Sequence, residues 1–275
     1  MMLLQDILYK AGLEELIGST NLAVEKICSD SRLADPLSAF IAVRGTQTDG
    51  HKFIDSALDQ GCNIIICETL PDVQRPEVTY VRVKDSQKAL GVIASNFYGN
   101  PSEKLDLVGT TGTNGKTTVV TLQYQLFKAL GYKVGMLSTV VNKIGNKEVS
   151  ATHTTPDPIQ LNALLAQMVE EGCQYCFMEV SSHAVHQKRI SGLRFKGALF
   201  TNITHDHLDY HKTFDNYIKA KKAFFDDLTN QAFSLINQDD IHAEIMVQNT
   251  KSTPYTFALK QDADFRAKIL ENHFQ

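Results

Sequence analysis

Gly109-Thr110-Thr111-Gly112-Thr113-Asn114-Gly115-Lys116-Thr117-Thr118 follows a short apolar run, Leu105-Asp106-Leu107-Val108. After it, Val119, Leu122, Leu126, Phe127 and Leu130 recur at helical spacing as far as Gly131. The first run reads as a buried strand, and the second as a helix that Gly131 ends. Strand, glycine loop and helix together form the setting of a phosphate-binding loop. Glycines let the backbone fold tightly enough for successive N–H groups to face phosphate oxygens. The helix start adds partial positive charge, and the lysine reaches the β- and γ-phosphates. Gly112, Thr113, Asn114, Gly115, Lys116, Thr117 and Thr118 are therefore candidate nucleotide-binding residues, with the Thr117 hydroxyl a candidate Mg²⁺ ligand. The strict pattern wants glycine six residues before the lysine; Thr110 stands there, between Gly109 and Gly112. A nucleoside triphosphate is the expected ligand.

Outward from the loop, 275 residues suit about two domains of ordinary size. A hydrophobic content of 43% and a charged content of 21% are those of a soluble globular chain. A formal net charge of −4 argues against nucleic acid or an anionic membrane as the main partner. No apolar run approaches the roughly 20 residues that a membrane helix needs. Met1-Met2-Leu3-Leu4-Gln5-Asp6 lacks a basic start, so no signal peptide is expected. Cys28, Cys62, Cys67, Cys173 and Cys176 are odd in number and lie mostly in apolar runs, as expected of buried thiols in a reducing cytoplasm.

Strand-like runs at 39–43, 63–67 and 79–83 alternate with helical patterns, one at 53–60 and one from the cap Asp85 to Phe97. Leu3, Leu4, Ile7, Leu8 and Ala11 mark an opening helix that Gly12 ends. Asn100-Pro101-Ser102 is the best boundary, giving a small α/β domain at 1–100 and a second domain at 101–275. In the second, strands at 133–138, 175–180, 197–201 and 233–236 alternate with helices, one opening at Asp157-Pro158 and reaching Gly172. That alternation predicts an α/β fold with a mostly parallel sheet covered on both faces.

Glu179 ends an apolar strand, where open α/β sheets place ligands. Burying an acid there requires a partner, and Mg²⁺ beside a phosphate loop supplies one. Ser181, Ser182 and His183 follow at once, with Gln187 and Arg189 a little later. His205, Asp206, His207, Asp209 and His211 crowd the end of another strand and point to a metal or phosphate site. On the helix expected at 214–228, Lys221 falls on the apolar face set by Phe214, Ile218, Phe225 and Leu228. A sheltered lysine has a lowered pKa and can take up CO₂ as a carbamate, an anionic oxygen ligand for a second Mg²⁺. A lysine stem packed on apolar neighbours explains the same spacing equally well.

Taken together, the loop, Thr154-Thr155-Pro156-Asp157, Met178-Glu179-Val180-Ser181-Ser182-His183-Ala184, and Asp206-His207-Leu208-Asp209-Tyr210-His211 with Ala220-Lys221 resemble the Mur ligases of peptidoglycan synthesis. Ser29-Asp30-Ser31-Arg32 and Val43-Arg44-Gly45-Thr46-Gln47-Thr48-Asp49-Gly50-His51 resemble that family's uridine-nucleotide domain. The likeness is strongest to the branch adding the third stem-peptide residue, and the family shares the non-glycine at position 110. It implies an ATP-dependent ligase joining diaminopimelate or lysine to UDP-N-acetylmuramoyl-L-alanyl-D-glutamate through an acyl phosphate. By the same resemblance Lys116 holds phosphates, Thr117 and Glu179 take one Mg²⁺, and His207 with carbamylated Lys221 takes another. Lys116, Lys221 and His207 become the catalytic candidates. Ser29, Ser31, Thr46, Gln47 and Thr48 would contact the uridine-diphosphate sugar. Thr154, Thr155, Ser181, Gln187 and Arg189 would hold the muramoyl-peptide end.

Relatives of this kind carry a last domain that binds the incoming amino acid, and the sequence stops at Gln275 without it. The expectation is a truncated ATP domain and a chain that is a poor ligase alone. The alternatives are a sister ligase, adding D-alanyl-D-alanine or acting as a folylpolyglutamate synthase, and a non-catalytic ATP-binding module.

Overall fold

The chain divides into two compact units, the first made of Met1–Pro101, Asp157–Ala166 and Gln187–Leu193, the second of Ser102–Pro156, Gln167–His186 and Arg194–Gln275. A computed structural model describes residues 2–45, 48–151, 153–206 and 208–270.

In the first unit, β1 (Met2–Leu3) and α1 (Leu4–Ile7) lead to β2 (Leu13–Ile17), β3 (Ala23–Val24), β4 (Lys26–Cys28) and β5 (Ser38–Ile41). Then come α2 (Ile54–Asp59), β6 (Ile64–Cys67), β7 (Thr79–Val83) and α3 (Ser86–Phe97). The main sheet has the order β2-β7-β6-β5-β4 and is parallel except for β2. Ala39, Ile41, Ile64, Ile66, Val81 and Val83 pack with α1 and α3, while Phe40, Ile65, Cys67 and Tyr80 pack with α2. Strict alternation between two covered faces is why these strands read as continuous apolar runs. Asp85 caps α3 as expected, accepting from the Lys88 amide at 2.9 Å.

The opening helix is shorter than its spacing predicts. Met2 and Leu3 pair with Val24 and Ala23 as a strand, and Lys10 turns to φ 58°, so α1 has room for one turn. Leu4, Ile7, Leu8 and Ala11 are nevertheless all buried, because tertiary packing holds the stripe without a regular helix.

The second unit runs β8 (Asp106–Thr111), α4 (Lys116–Ala129), β9 (Val134–Leu137), β10 (Val141–Ile144) and β11 (Lys147–Ser150). Next are α5 (Pro158–Glu170), whose first residues count with the first unit, β12 (Tyr175–Glu179), α6 (Ser182–His186) and β13 (Gly197–Phe200). It closes with α7 (Leu208–His211), α8 (Phe214–Asp226), β14 (Phe233–Asn237), α9 (Ala243–Val247), β15 (Thr253–Ala258) and β16 (Phe265–Arg266). The sheet order is β11-β10-β9-β12-β8-β13-β14-β15-β16. Only β10 runs against the other strands, pairing antiparallel with β9 and with β11 in an edge hairpin that the sequence reading did not anticipate. The α/β class and the mostly parallel sheet are as expected.

Helix α4 forms, but on a different face from the one its leucines mark. Val120 and Tyr124 are buried with Phe127 against Val108, Val134, Met136 and Phe177, whereas Leu122, Leu126 and Leu130 are exposed. Two apolar stripes share this helix, and aromatic bulk decides which one meets the sheet. All five cysteines are free and buried, and burial pushes Cys28 and Cys67 up to about 11. Among the described residues, no helix is long and apolar enough to cross a membrane.

On the sheet's other face, α8 packs onto the strand that feeds the loop. A Cβ at Gly109 would lie 2.5 Å from Phe224 Cζ, 2.9 Å from Val180 Cγ2 and 3.0 Å from Phe195 Cε1. The missing side chain thus lets α8, and Lys221 on it, approach the end of β8. Gly109→Ala is expected to destabilise the protein by about 1–3 kcal/mol through overpacking, read as a lower urea midpoint at unchanged slope. An unchanged midpoint would show that the helix is not seated this closely.

Candidate functional site

Everything at the loop follows from how β8 ends. Gly112 (φ 150°) and Gly115 (φ 86°) take backbone conformations that L side chains rarely adopt. A Cβ at Gly112 would also overlap the Thr201 hydroxyl and come within 3.0 Å of the Asn202 carbonyl oxygen. The segment after β13 holds the loop in place. Thr113 N–H donates to Asn202 O at 2.8 Å, Asn114 N–H to Asn202 Oδ1 at 3.0 Å, and Thr201 Oγ1–H to Asn114 O at 2.7 Å. The first helical bond of α4 runs from Val119 N–H to Gly115 O, so the amides of Lys116, Thr117 and Thr118 head the helix without an intrahelical acceptor. Those donors and the helix dipole suit an anion.

Two lysines converge on one carbonyl. Lys116 Nζ donates to Gly112 O and Thr113 O, each at 2.9 Å, and Lys221 Nζ donates to Gly112 O at 2.8 Å. Lys221 is 1% exposed and its ammonium position lies 4.7 Å from the Tyr217 ring centre. The Tyr217 hydroxyl in turn meets Thr113 Oγ1 at 3.2 Å. Burial holds the Lys116 amine below the usual lysine range, with Glu179 and Asp206 opposing the shift. For Lys221, burial first and then the neighbouring Lys116 charge push the pKa well below that range. Both shifts act in favour of the neutral amine at the loop.

Glu179 ends β12 in register with Thr110 of β8 and is 1% exposed, so it does not face solvent. Its Oε1 accepts from Thr117 Oγ1–H at 2.9 Å and from Thr139 N–H at 2.8 Å; its Oε2 lies 3.2 Å from Thr139 Oγ1. Thr155 Oγ1–H donates to the Glu179 carbonyl at 2.9 Å and accepts from Ser181 N–H at 3.2 Å. Thr154 Oγ1 lies 3.1 Å from Thr139 Oγ1. A carboxylate and a hydroxyl side by side, with only oxygen atoms offered, fit a hard cation such as Mg²⁺ completed by phosphate oxygens and water.

His205 and His211 take separate partners. His205 stacks on Phe214 with ring centres 4.4 Å apart, and His211, buried, meets Ser182 Oγ at 3.0 Å through Nε2. His186 meets the Tyr210 hydroxyl at 2.9 Å, and His183 packs 4.1 Å from the Tyr210 ring. Among the described residues, no three His, Cys, Asp or Glu side chains gather as a metal set. His207 lies outside the described residues, as do Thr46 and Gln47.

The remaining candidates belong to the first unit. Ser31 is buried in a short 3-10 turn headed by Asp30, whose carboxylate accepts from Arg32 N–H; Ser29 is exposed. Thr48 is exposed, and its carbonyl accepts from Gly45 N–H at 3.0 Å. Gln187 Oε1 accepts from Arg189 Nε at 2.9 Å, within that same unit.

Three participants escaped the sequence reading: Thr139, Asn202 and Tyr217. Thr139 follows β9, the neighbour of β12, so the strand-end rule could have found it. Tyr217 precedes Lys221 by one helical turn and shares its face.

Residues 110–275 match the family model described as "Mur ligase middle domain", and residues 23–98 match "Mur ligase family, catalytic domain". The chain is 57% identical over 275 residues to the UDP-N-acetylmuramoyl-L-alanyl-D-glutamate–2,6-diaminopimelate ligase of Cytophaga hutchinsonii, spanning 100% of this chain and 57% of that one. It is 52% identical over 274 residues to the ligase of the same name from Bacteroides thetaiotaomicron, again 100% of this chain and 57% of the relative. A solved structure of a ligase so named superposes with a TM-score of 0.80 at 25% identity, covering 96% of this chain and 54% of that one. The chain thus spans a little over half the length of these relatives.

Proposed function

This chain belongs to the Mur ligase family, and on that premise we propose that it carries the nucleotide-handling part of an ATP-dependent amide ligase. The reaction would join diaminopimelate to UDP-N-acetylmuramoyl-L-alanyl-D-glutamate, in the cytoplasm; the relatives' names favour diaminopimelate over lysine. Residues 1–100 would hold the UDP-sugar, with Ser29, Ser31 and Thr46-Gln47-Thr48 as contacts, and residues 101–275 would hold ATP. One observation carries the proposal: Lys116, Lys221 and the Thr117–Glu179 pair all meet at the glycine loop.

The chemistry follows from two anions that repel. The D-glutamate side-chain carboxylate must reach the γ-phosphate, form a C–O–P bond and expel ADP. An amine then attacks that acyl carbon, and phosphate leaves through a tetrahedral intermediate. The amides of Lys116, Thr117 and Thr118 would bind β-phosphate oxygens, and Lys116 Nζ would leave the Gly112 and Thr113 carbonyls for the γ-phosphate. Thr154, Thr155, Ser181, Gln187 and Arg189 would orient the peptide end. Thr117 and Glu179 would hold one Mg²⁺ and His207 with Lys221 a second, supplying charge neutralisation between carboxylate and phosphate. The Lys221 amine, its neutral form favoured by burial, would add to CO₂ and lose a proton, giving an N–H carbamate that can still donate to Gly112 O.

The test supplies the C-terminal remainder of the Cytophaga relative in trans. Phosphate release should then depend on both UDP-N-acetylmuramoyl-L-alanyl-D-glutamate and diaminopimelate, with the chain alone far slower. ATP binding that ignores the muramoyl peptide altogether would instead mark a non-catalytic module.

A further inference from the structure

In the first unit, His51 holds two segments together through contacts that only one protonation state allows. It lies in the 3-10 turn Gly50–Phe53, and its side chain is 13% exposed. As the chain leaves β6, Glu68 N–H donates to His51 Nε2 at 2.9 Å, and Thr69 N–H points to the same nitrogen at 3.4 Å. A backbone N–H can only donate, so Nε2 is the bare, accepting nitrogen and Nδ1 carries the ring proton. Nδ1–H donates to Asp49 Oδ1 at 2.7 Å. Asp49 closes the turn that contains Thr48. It pairs with Arg44 as a β-bridge, and beside it Gly50 N–H donates to Val43 O at 2.8 Å. A tether thus runs from the end of β6, through the imidazole, to that turn.

We infer that His51 is a positioning residue: as the neutral imidazole protonated on Nδ1 it ties the turn bearing Thr48 to the end of β6, and its protonation unties that turn and weakens UDP-sugar binding. The inference rests on the proposed function, which gives Thr48 to the UDP-sugar. A proton on Nε2 would face two N–H groups, so the bonds from Glu68 and Thr69 are lost, while the contact with Asp49 is kept. The charges around the ring divide. The Asp49 carboxylate favours the imidazolium. Arg44 opposes it, lying 3.9 Å from Asp49 Oδ2 and 3.3 Å from Glu68 Oε2. The Glu68 carboxylate is occupied by Ser86 at the start of α3, accepting from its N–H at 2.8 Å and its O–H at 2.7 Å. Lys52, next to His51 in the chain, is exposed.

The experiment needs no turnover. Wild type, His51→Gln and His51→Leu are titrated by calorimetry with UDP-N-acetylmuramoyl-L-alanyl-D-glutamate at pH 8 and pH 5, between which imidazoles change charge. The ligand's pyrophosphate is esterified at both ends and keeps its charge over that range. Wild type should bind about tenfold more weakly at pH 5, the worth of about one hydrogen bond. His51→Gln should vary little, because an amide oxygen accepts from Glu68 N–H at either pH. His51→Leu should be about tenfold weaker than wild type at pH 8 and gain no further pH dependence, while binding a non-hydrolysable ATP analogue as wild type does. Parallel losses in wild type and His51→Gln would overturn the inference, as would a leucine variant equal to wild type at pH 8. A second readout is independent of any ligand: NMR of the isotope-labelled imidazole at pH 8 should show a protonated Nδ1 and a bare Nε2, and the opposite tautomer overturns the tether whatever the affinities. A wild-type chain that takes the ATP analogue but no muramoyl peptide at pH 8 sinks the UDP-sugar reading itself, and the inference falls with it.

Discussion

Lys116→Ala is expected to weaken ATP binding by about 100-fold. Charge-assisted hydrogen bonds to phosphate are worth about 1.5–3 kcal/mol, and each 1.4 kcal/mol is a factor of ten. The loop amides remain in the variant, so binding is crippled, not abolished. Lys116→Arg should not rescue it, because a planar guanidinium does not reproduce the compact point charge that a lysine ammonium brings to phosphate. The same burial gives a pH signature. The Lys116 amine loses its proton at lower pH than an ordinary lysine. ATP affinity should therefore begin to fall on the alkaline side before pH 10, where a free lysine is still mostly charged. Calorimetry across pH 7–10 checks both statements, and affinity in Lys116→Ala equal to wild type would remove the lysine from the phosphate site.

Lys221 gives the second large effect, and its two readouts point in opposite directions. In the complemented enzyme, Lys221→Met should lower turnover about 10²–10³-fold, the usual loss when one preorganised electrostatic group is removed, and bicarbonate should not restore it. Stability should move the other way. The folded-state pKa of Lys221 lies well below its unfolded value, so the unfolded chain binds the extra proton. Stability is then fully expressed above the unfolded pKa and is lost as pH falls toward the folded one. Lys221→Met removes that loss and should be more thermostable than wild type at pH 7. The gap should narrow as pH rises toward 10. Equal melting temperatures at pH 7 would mean that the amine is charged in the folded protein, which would leave no neutral nucleophile for CO₂.

How much of this was legible before folding varies with the physical cause. Gly112, Gly115, Lys116 and Thr117 could be read because phosphate chemistry fixes residue type and spacing together. Glu179 and Lys221 stand out by a weaker logic: a charge on an apolar strand or helix face needs a reason to be there, and both side chains are buried. Spacing was less informative where two solutions compete. The leucines at 122, 126 and 130 mark a helix but not its buried side, because of the residues read from the spacing only Phe127 packs inward, beside Val120 and Tyr124, which the spacing did not single out. The opening helix lost to strand pairing of Met2 and Leu3, a non-local contact that no local pattern reports. Asn202 and Thr139 act through backbone and hydroxyl contacts with distant segments, and such polar residues look like any loop residue until the chain folds. Gln187 and Arg189 follow Ser181 closely in sequence, yet they belong with the first unit.

A crystal structure of the chain grown with Mg²⁺, bicarbonate and a non-hydrolysable ATP analogue would test the central claim most directly. The account predicts the triphosphate on the amides of 115–118, Lys116 Nζ on the terminal phosphate, and extra density beyond Nζ of residue 221 facing the cation. A triphosphate bound elsewhere, or a bare Lys221 amine still donating only to Gly112 with no metal near it, would contradict it.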